Sequence, residues 1–124
     1  VLDGPLTAAS ALKMSYAGIT KGFTALGTAM MLAASRGGSA EALKAELAES
    51  RPDLLRYLSN QVPSMYSKAY RWVAELDEIA AFVGEEFPER DMLQAAARLY
   101  QRIAEDFEDR KEEIGKLDRF LEKS

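Results

Sequence analysis

The sequence predicts an all-α domain, and three observations carry the prediction. Apolar residues recur at three- and four-residue steps through most of the chain. No stretch alternates apolar and polar residues at a sustained period of two, and no β-branched run lies between turn signals. Breakers such as Arg36-Gly37-Gly38, Arg51-Pro52, Pro63-Ser64, Gly84 and Pro88 divide the chain into segments of helical length. With 124 residues, 48% of them hydrophobic, these segments can close one core, so a single domain over 1–124 is expected.

The first helix is entered at Asp3-Gly4-Pro5, where proline is tolerated in a first turn, and runs about thirty residues to Arg36. Ala8, Leu12, Ile19, Phe23, Leu26 and Met30 form its recurrent apolar stripe. The remaining surface is mostly Ala, Gly, Ser and Thr, little of it suited to water, so a buried central helix is expected. Gly18, Gly22 and Gly27 each lower helix propensity by about 1 kcal/mol against Ala, which is tolerable where another backbone must come close.

Ser39 opens a second helix to about Glu49, and Arg51-Pro52-Asp53 a third to about Asn60. A fourth begins at Pro63-Ser64, carries Met65, Ala69, Trp72, Leu76, Ile79 and Val83 on one stripe, and stops at Gly84. Arg90-Asp91 starts a fifth, with Leu93, Ala97, Tyr100, Ile103 and Phe107 inward. From Asp106 the chain is strongly charged, and a solvated helical tail is expected, with Ile114, Leu117 and Leu121 as a thin stripe and Gly115 as the point of any split.

Composition excludes several function classes. A net charge of −4 is wrong for collecting phosphates, so no nucleic-acid partner is expected. With no Cys and no His, disulfide scaffolds, thiol nucleophiles, histidine bases and nearly all zinc sites are ruled out. Glu75, Asp77 and Glu78 resemble the carboxylates of helical-bundle metal sites, but those sites pair Glu with His, so no metal is expected. No basic segment followed by a short apolar stretch opens the chain, and the apolar run from Gly22 to Ala34 is too short for the roughly 20 residues of a membrane span. A cytoplasmic setting, with no membrane partner, is the expectation.

Between Leu6 and Ser35 only Lys13 and Lys21 are charged, both within KMSYAGITKG. On a helix Lys13, Ala17, Thr20 and Lys21 share one face. Periodicity leaves two readings of such a lysine: its stem lies along the core while the amine reaches water, or the amine is held at a pocket. Lys68 and Arg71, one turn apart beside Trp72, read from spacing alone as flanking the core and facing solvent; binding of an anionic group becomes a comparable reading only with a family resemblance.

Lys13-Met14, Gly18-Ile19 and Gly22 resemble the start of the all-helical C-terminal domain of 6-phosphogluconate dehydrogenase and the related β-hydroxyacid (3-hydroxyisobutyrate) dehydrogenases, where a long helix carries the catalytic lysine. The closer resemblance, over roughly residues 4 to 104, is to a less characterised branch of that superfamily with a C-terminal domain of unknown function. Ala9-Ser10-Ala11-Leu12-Lys13-Met14 and the segment from Lys68 to Ala80 carry it.

The resemblance implies that Lys13 is the acid/base residue of an NAD- or NADP-linked oxidation of a small hydroxy acid, with Tyr16, Thr20, Lys21, Lys68 and Arg71 as substrate contacts. It implies a homodimer, and a cofactor bound mainly by the protein's own N-terminal Rossmann domain; no G-x-G-x-x-G occurs in this chain, so the chain alone is expected to be inactive. Two positions depart from the family pattern: Ala17 stands where those enzymes carry a substrate-orienting Asn, and Thr20 where the decarboxylating enzyme carries its acidic glutamate. Gly18, Gly22 and the charged tail also suit a different class, a non-catalytic helical self-association domain.

Overall fold

The computed structural model describes residues 7–122, which contain helices and no strand. The helices are α1 (Ala8–Arg36), α2 (Ala40–Ser50), α3 (Pro52–Met65), a 3₁₀ turn (Tyr66–Lys68), α4 (Ala69–Val83), α5 (Arg90–Phe107) and α6 (Glu112–Leu121). The expected entry at Asp3-Gly4-Pro5 lies outside the described residues. Thr7 is the N-cap of α1, its hydroxyl oxygen accepting from the Ser10 amide at 3.0 Å.

The glycine signals end helices as expected. After α1, the Ser39 amide returns to the Ala34 carbonyl at 2.9 Å through Gly38 at φ 77°, and α4 stops at Gly84 with φ 107°. Pro63, expected to open a helix, instead lies in the last turns of α3, because Leu58, Val62 and Met65 continue one inner face to Met65. The fourth helix therefore begins only at Ala69.

The core gathers Met31 and Leu32 of α1, Leu58, Val62 and Met65 of α3, Leu76 of α4, Tyr100 and Ile103 of α5, and Leu117 of α6, all but excluded from solvent. Each such side chain contributes roughly 1.5 to 3 kcal/mol on burial. α4 and α5 form the most extensive helix pair, and α1 lies against both.

The expectation of a buried central helix fails for half of α1. Leu12, Ile19, Leu26 and Met30 are 69%, 71%, 58% and 52% exposed. The inner face is the smaller one, carrying Thr24, Ala25 and Thr28. Thr24 is tolerated there because its Oγ1 donates to the Thr20 carbonyl of its own helix at 2.9 Å, whereas the buried Thr28 Oγ1 has no hydrogen-bond partner among the described residues.

The charged tail is also not the solvated extension expected. The chain reverses after Phe107 through Lys111 in the left-handed conformation (φ 58°), and Asp106 fixes the corner: its carbonyl accepts from the Lys111 amide at 3.0 Å and its Oδ2 from the Ile114 amide at 2.8 Å. The break falls there, and Gly115 sits inside α6. Ile114, Leu117 and Phe120 are buried, while Leu121 is half-buried. Tyr66 Oη donates to Asp118 Oδ1 at 2.9 Å; burial first, then that carboxylate, pushes its phenol well above the usual range. Glu113 binds three cations from three elements: Arg102 Nη2 at 2.6 Å, Lys116 Nζ at 2.8 Å and Arg36 Nη1 at 3.9 Å.

Candidate functional site

The candidate site is the N-terminal half of α1. Polar and small residues predominate there, and the helix carries its lysines eight residues apart, so they sit about 12 Å from each other along the axis. Lys13 is exposed and makes no ion pair among the described residues. Tyr16, 69% exposed, stands one turn on. The Thr20 hydroxyl donates back to the Tyr16 and Ala17 carbonyls at 3.2 and 3.4 Å, within its own helix.

Lys21 has a different environment. Its ammonium pairs with the Glu75 carboxylate of α4 and lies 5.1 Å from the centroid of the Trp72 ring, a cation–π arrangement. Trp72 meets Tyr100 edge to face at 5.2 Å, and Tyr100 Oη donates to the Lys21 carbonyl at 2.5 Å. Burial, with Tyr57 a lesser cause, raises the Tyr100 phenol well above its usual range, so it remains a donor. Sequence reasoning missed the part Glu75 and Tyr100 play here. They stand 54 and 79 residues from Lys21, and no local spacing signals the pairing.

α4 runs antiparallel to α1: a Cβ on Gly18 would lie 3.2 Å from Ile79, and Lys21 meets Glu75 and Trp72. Lys68 and Arg71 therefore lie beyond Lys21, on the side away from Lys13. Arg71 is roughly 18 Å from Lys13 along the axes, and Lys68 is farther still. Both are exposed. Within one chain, then, Lys13, Tyr16 and Thr20 form one ledge, while Lys68 and Arg71 belong to another region. No group of three or more metal-ligating side chains occurs among the described residues, and no helix among them is long and apolar enough to cross a membrane.

The opposite flank of α1 borders an apolar groove of about 700 Å³ walled by α4 and α5, with Gly18, Ile19, Gly22 and Leu26 as its α1 side. No charged side chain lines it.

Fold and site together define a small helical domain whose longest helix displays one solvated lysine and one internally paired lysine. A family model described as a domain of unknown function (DUF1932) matches residues 34–103, and the chain belongs to that family. Domains of this family are typically the C-terminal helical domain of 6-phosphogluconate or hydroxyacid dehydrogenase-like proteins. The match begins at the end of α1 and closes within α5, leaving Lys13 and Lys21 outside it. No curated protein and no solved structure matches the chain.

Proposed function

We propose that this chain is the substrate half of an NAD(P)-linked β-hydroxyacid dehydrogenase, with Lys13 as the acid/base residue. The observation that carries the reading is Lys13 itself: a solvated amine on the first turns of the long helix, on a ledge with Tyr16 and Thr20, in a domain of a dehydrogenase-associated family.

A neutral amine at the substrate hydroxyl accepts its proton as the carbon gives up hydride, and it returns the proton in the reverse direction. Nicotinamide, when bound by a Rossmann domain outside this chain, supplies the hydride acceptor. Lysine suits the task where arginine does not, because a guanidinium keeps its proton. The Tyr16 hydroxyl is placed to hold the substrate oxygen, and Thr20 can do so once its hydroxyl turns from its own helix.

Lys21, neutralised by Glu75, fixes α1 against α4 and thereby sets the direction in which the Lys13 ledge faces. Lys68 and Arg71 contact substrate only across a domain or subunit boundary. The absence of Cys and of any disulfide fits a reducing, cytoplasmic setting.

The test is NAD(P)-linked turnover by the complete protein across 2- and 3-hydroxy acids and sugar acids, with Lys13→Ala alongside. Turnover that disappears with the lysine supports the assignment; equal turnover in both proteins removes Lys13 from the chemistry.

A further inference from the structure

We propose that the cleft between α2 and α6 is a second binding site, which takes a small organic phosphate monoester. It lies at the far end of α1 from Lys13: Ser35, on its border, is 22 residues further on, about 33 Å along the axis. The inference stands on this cleft and not on the role of Lys13.

The first observation is the space. The cleft encloses about 820 Å³, within the range of small-molecule sites. It stays open because α2 turns short side chains to it: Ala40, Lys44 and Ala48 follow at steps of four, with Ala45 beside them. Leu43 and Leu47, the longer apolar side chains of α2, pack against the core instead. On the α6 side, the buried Phe120 supplies an apolar floor.

The second is charge. Lys44 of α2 and Lys116 and Arg119 of α6 line the cleft from its two walls, and none has a carboxylate to itself among the described residues. The Lys44 ammonium donates to the main-chain carbonyl of Glu122. Lys116 shares Glu113 with Arg102 and Arg36, and Arg119 makes no ion pair there. Lys116 and Arg119 are also like charges one turn apart on one helix, an arrangement that disfavours the helix until an anion meets both.

Two carboxylates border the cleft as well. Glu41 stands in the first turn of α2, where the helix amides meet its charge, and Glu122 follows the last residue of α6. Among groups that line the cleft or are ion-paired to its lining, five cations (Lys44, Lys116, Arg119, Arg36 and Arg102) stand against three carboxylates (Glu41, Glu122 and Glu113). That is a local excess of two positive charges in a chain of net charge −4.

A phosphate monoester is the ligand that fits. Its dianionic, tetrahedral head accepts from an arginine fork and two ammonium groups together, whereas a single carboxylate would leave part of that charge unmet. The alanine and phenylalanine surface takes the organic body. The acidic chain repels a polyanion at long range, so the charge favours a small ester over a nucleic-acid strand.

Methyl NMR of the complete protein, labelled at its alanines and titrated with phenyl phosphate and separately with inorganic phosphate, tests this. Saturable shifts are expected at Ala40, Ala45 and Ala48, with a dissociation constant of about 0.1 to 1 mM for the ester and binding of inorganic phosphate about 10-fold weaker. Arg119→Met removes the charge of an exposed side chain, and Ala48→Leu fills the cleft without changing charge. Each is expected to keep the wild-type circular dichroism and to weaken phenyl phosphate by about 10-fold or more, read at Ala40 and Ala45. The absence of saturable shifts at these methyls up to about 10 mM ester, as when another part of the protein covers the cleft, overturns the proposal. So does binding that both variants leave unchanged, and so does inorganic phosphate that binds as tightly as the ester. The readout needs no turnover, so a failed dehydrogenase assignment leaves the proposal standing.

Discussion

Lys21 of α1 is ion-paired with Glu75 of α4 across the helix pair that carries the candidate site. The Lys21 side chain is 20% exposed and that of Glu75 42%, so the pair is partly screened by water. Removing the carboxylate charge by Glu75→Gln is expected to lower stability by about 0.5 to 1 kcal/mol, the upper part of the range for partly exposed pairs. Thermal unfolding checks this at low and high salt, where the difference from wild type should shrink as salt rises.

The Tyr100 hydroxyl gives the same junction a second tie. Tyr100→Phe keeps the ring against Trp72 and deletes only the donor to the Lys21 carbonyl. A loss of about 1 kcal/mol is expected, read as a lower urea midpoint at unchanged slope.

Two glycines on one helix should respond to alanine with opposite signs. Gly22→Ala adds a methyl to open space and is expected to stabilise the monomer by up to about 1 kcal/mol through helix propensity. Gly27→Ala would bring a Cβ to 2.5 Å from a methyl of buried Leu58, and the overpacking is expected to cost about 1 to 3 kcal/mol. Chemical denaturation of both variants under monomeric conditions checks the contrast.

Glu113 makes stability depend on acid. The hydrogen bond from Lys116, followed by the charges of Lys116 and Arg102, holds its carboxyl below the ordinary glutamate value. Between the folded and unfolded values the unfolded chain binds the extra proton, so stability rises with pH there. The contribution is complete above the unfolded value, about pH 4.3, and is lost as pH falls through the folded one. Glu113→Gln should therefore flatten the acid limb of a stability-versus-pH curve and leave its slope above neutrality unchanged.

Three helix boundaries were legible because glycine and proline act locally at Gly37-Gly38, Pro52 and Gly84, whereas Pro63 lies inside α3 and marks none. Which way α1 faces was not. Periodicity locates a stripe at Leu12, Ile19 and Leu26, but a stripe made for a partner and one made for the core look alike in sequence. The inner face of Thr24, Ala25 and Thr28 is small because neighbouring helices approach closely, a long-range fact. The reversal at Lys111 was hidden for a related reason: a lysine in a left-handed conformation carries no local signature, and Asp106 holds it through bonds that form only once the corner exists. Lys13 is a candidate through a family resemblance, and Lys21 was legible only as a charge; Glu75 is the partner of Lys21 by tertiary structure alone.

The most direct test of the central claim is the single-turnover rate of hydride transfer to NAD(P) in the complete protein, comparing wild type with Lys13→Ala at saturating hydroxy acid, with and without an added primary amine. A general-base role predicts a rate lower by about 10² to 10⁴ with substrate binding retained, and partial recovery when the amine is supplied. An unchanged rate in Lys13→Ala, or a loss confined to substrate affinity with no recovery by amine, would contradict it.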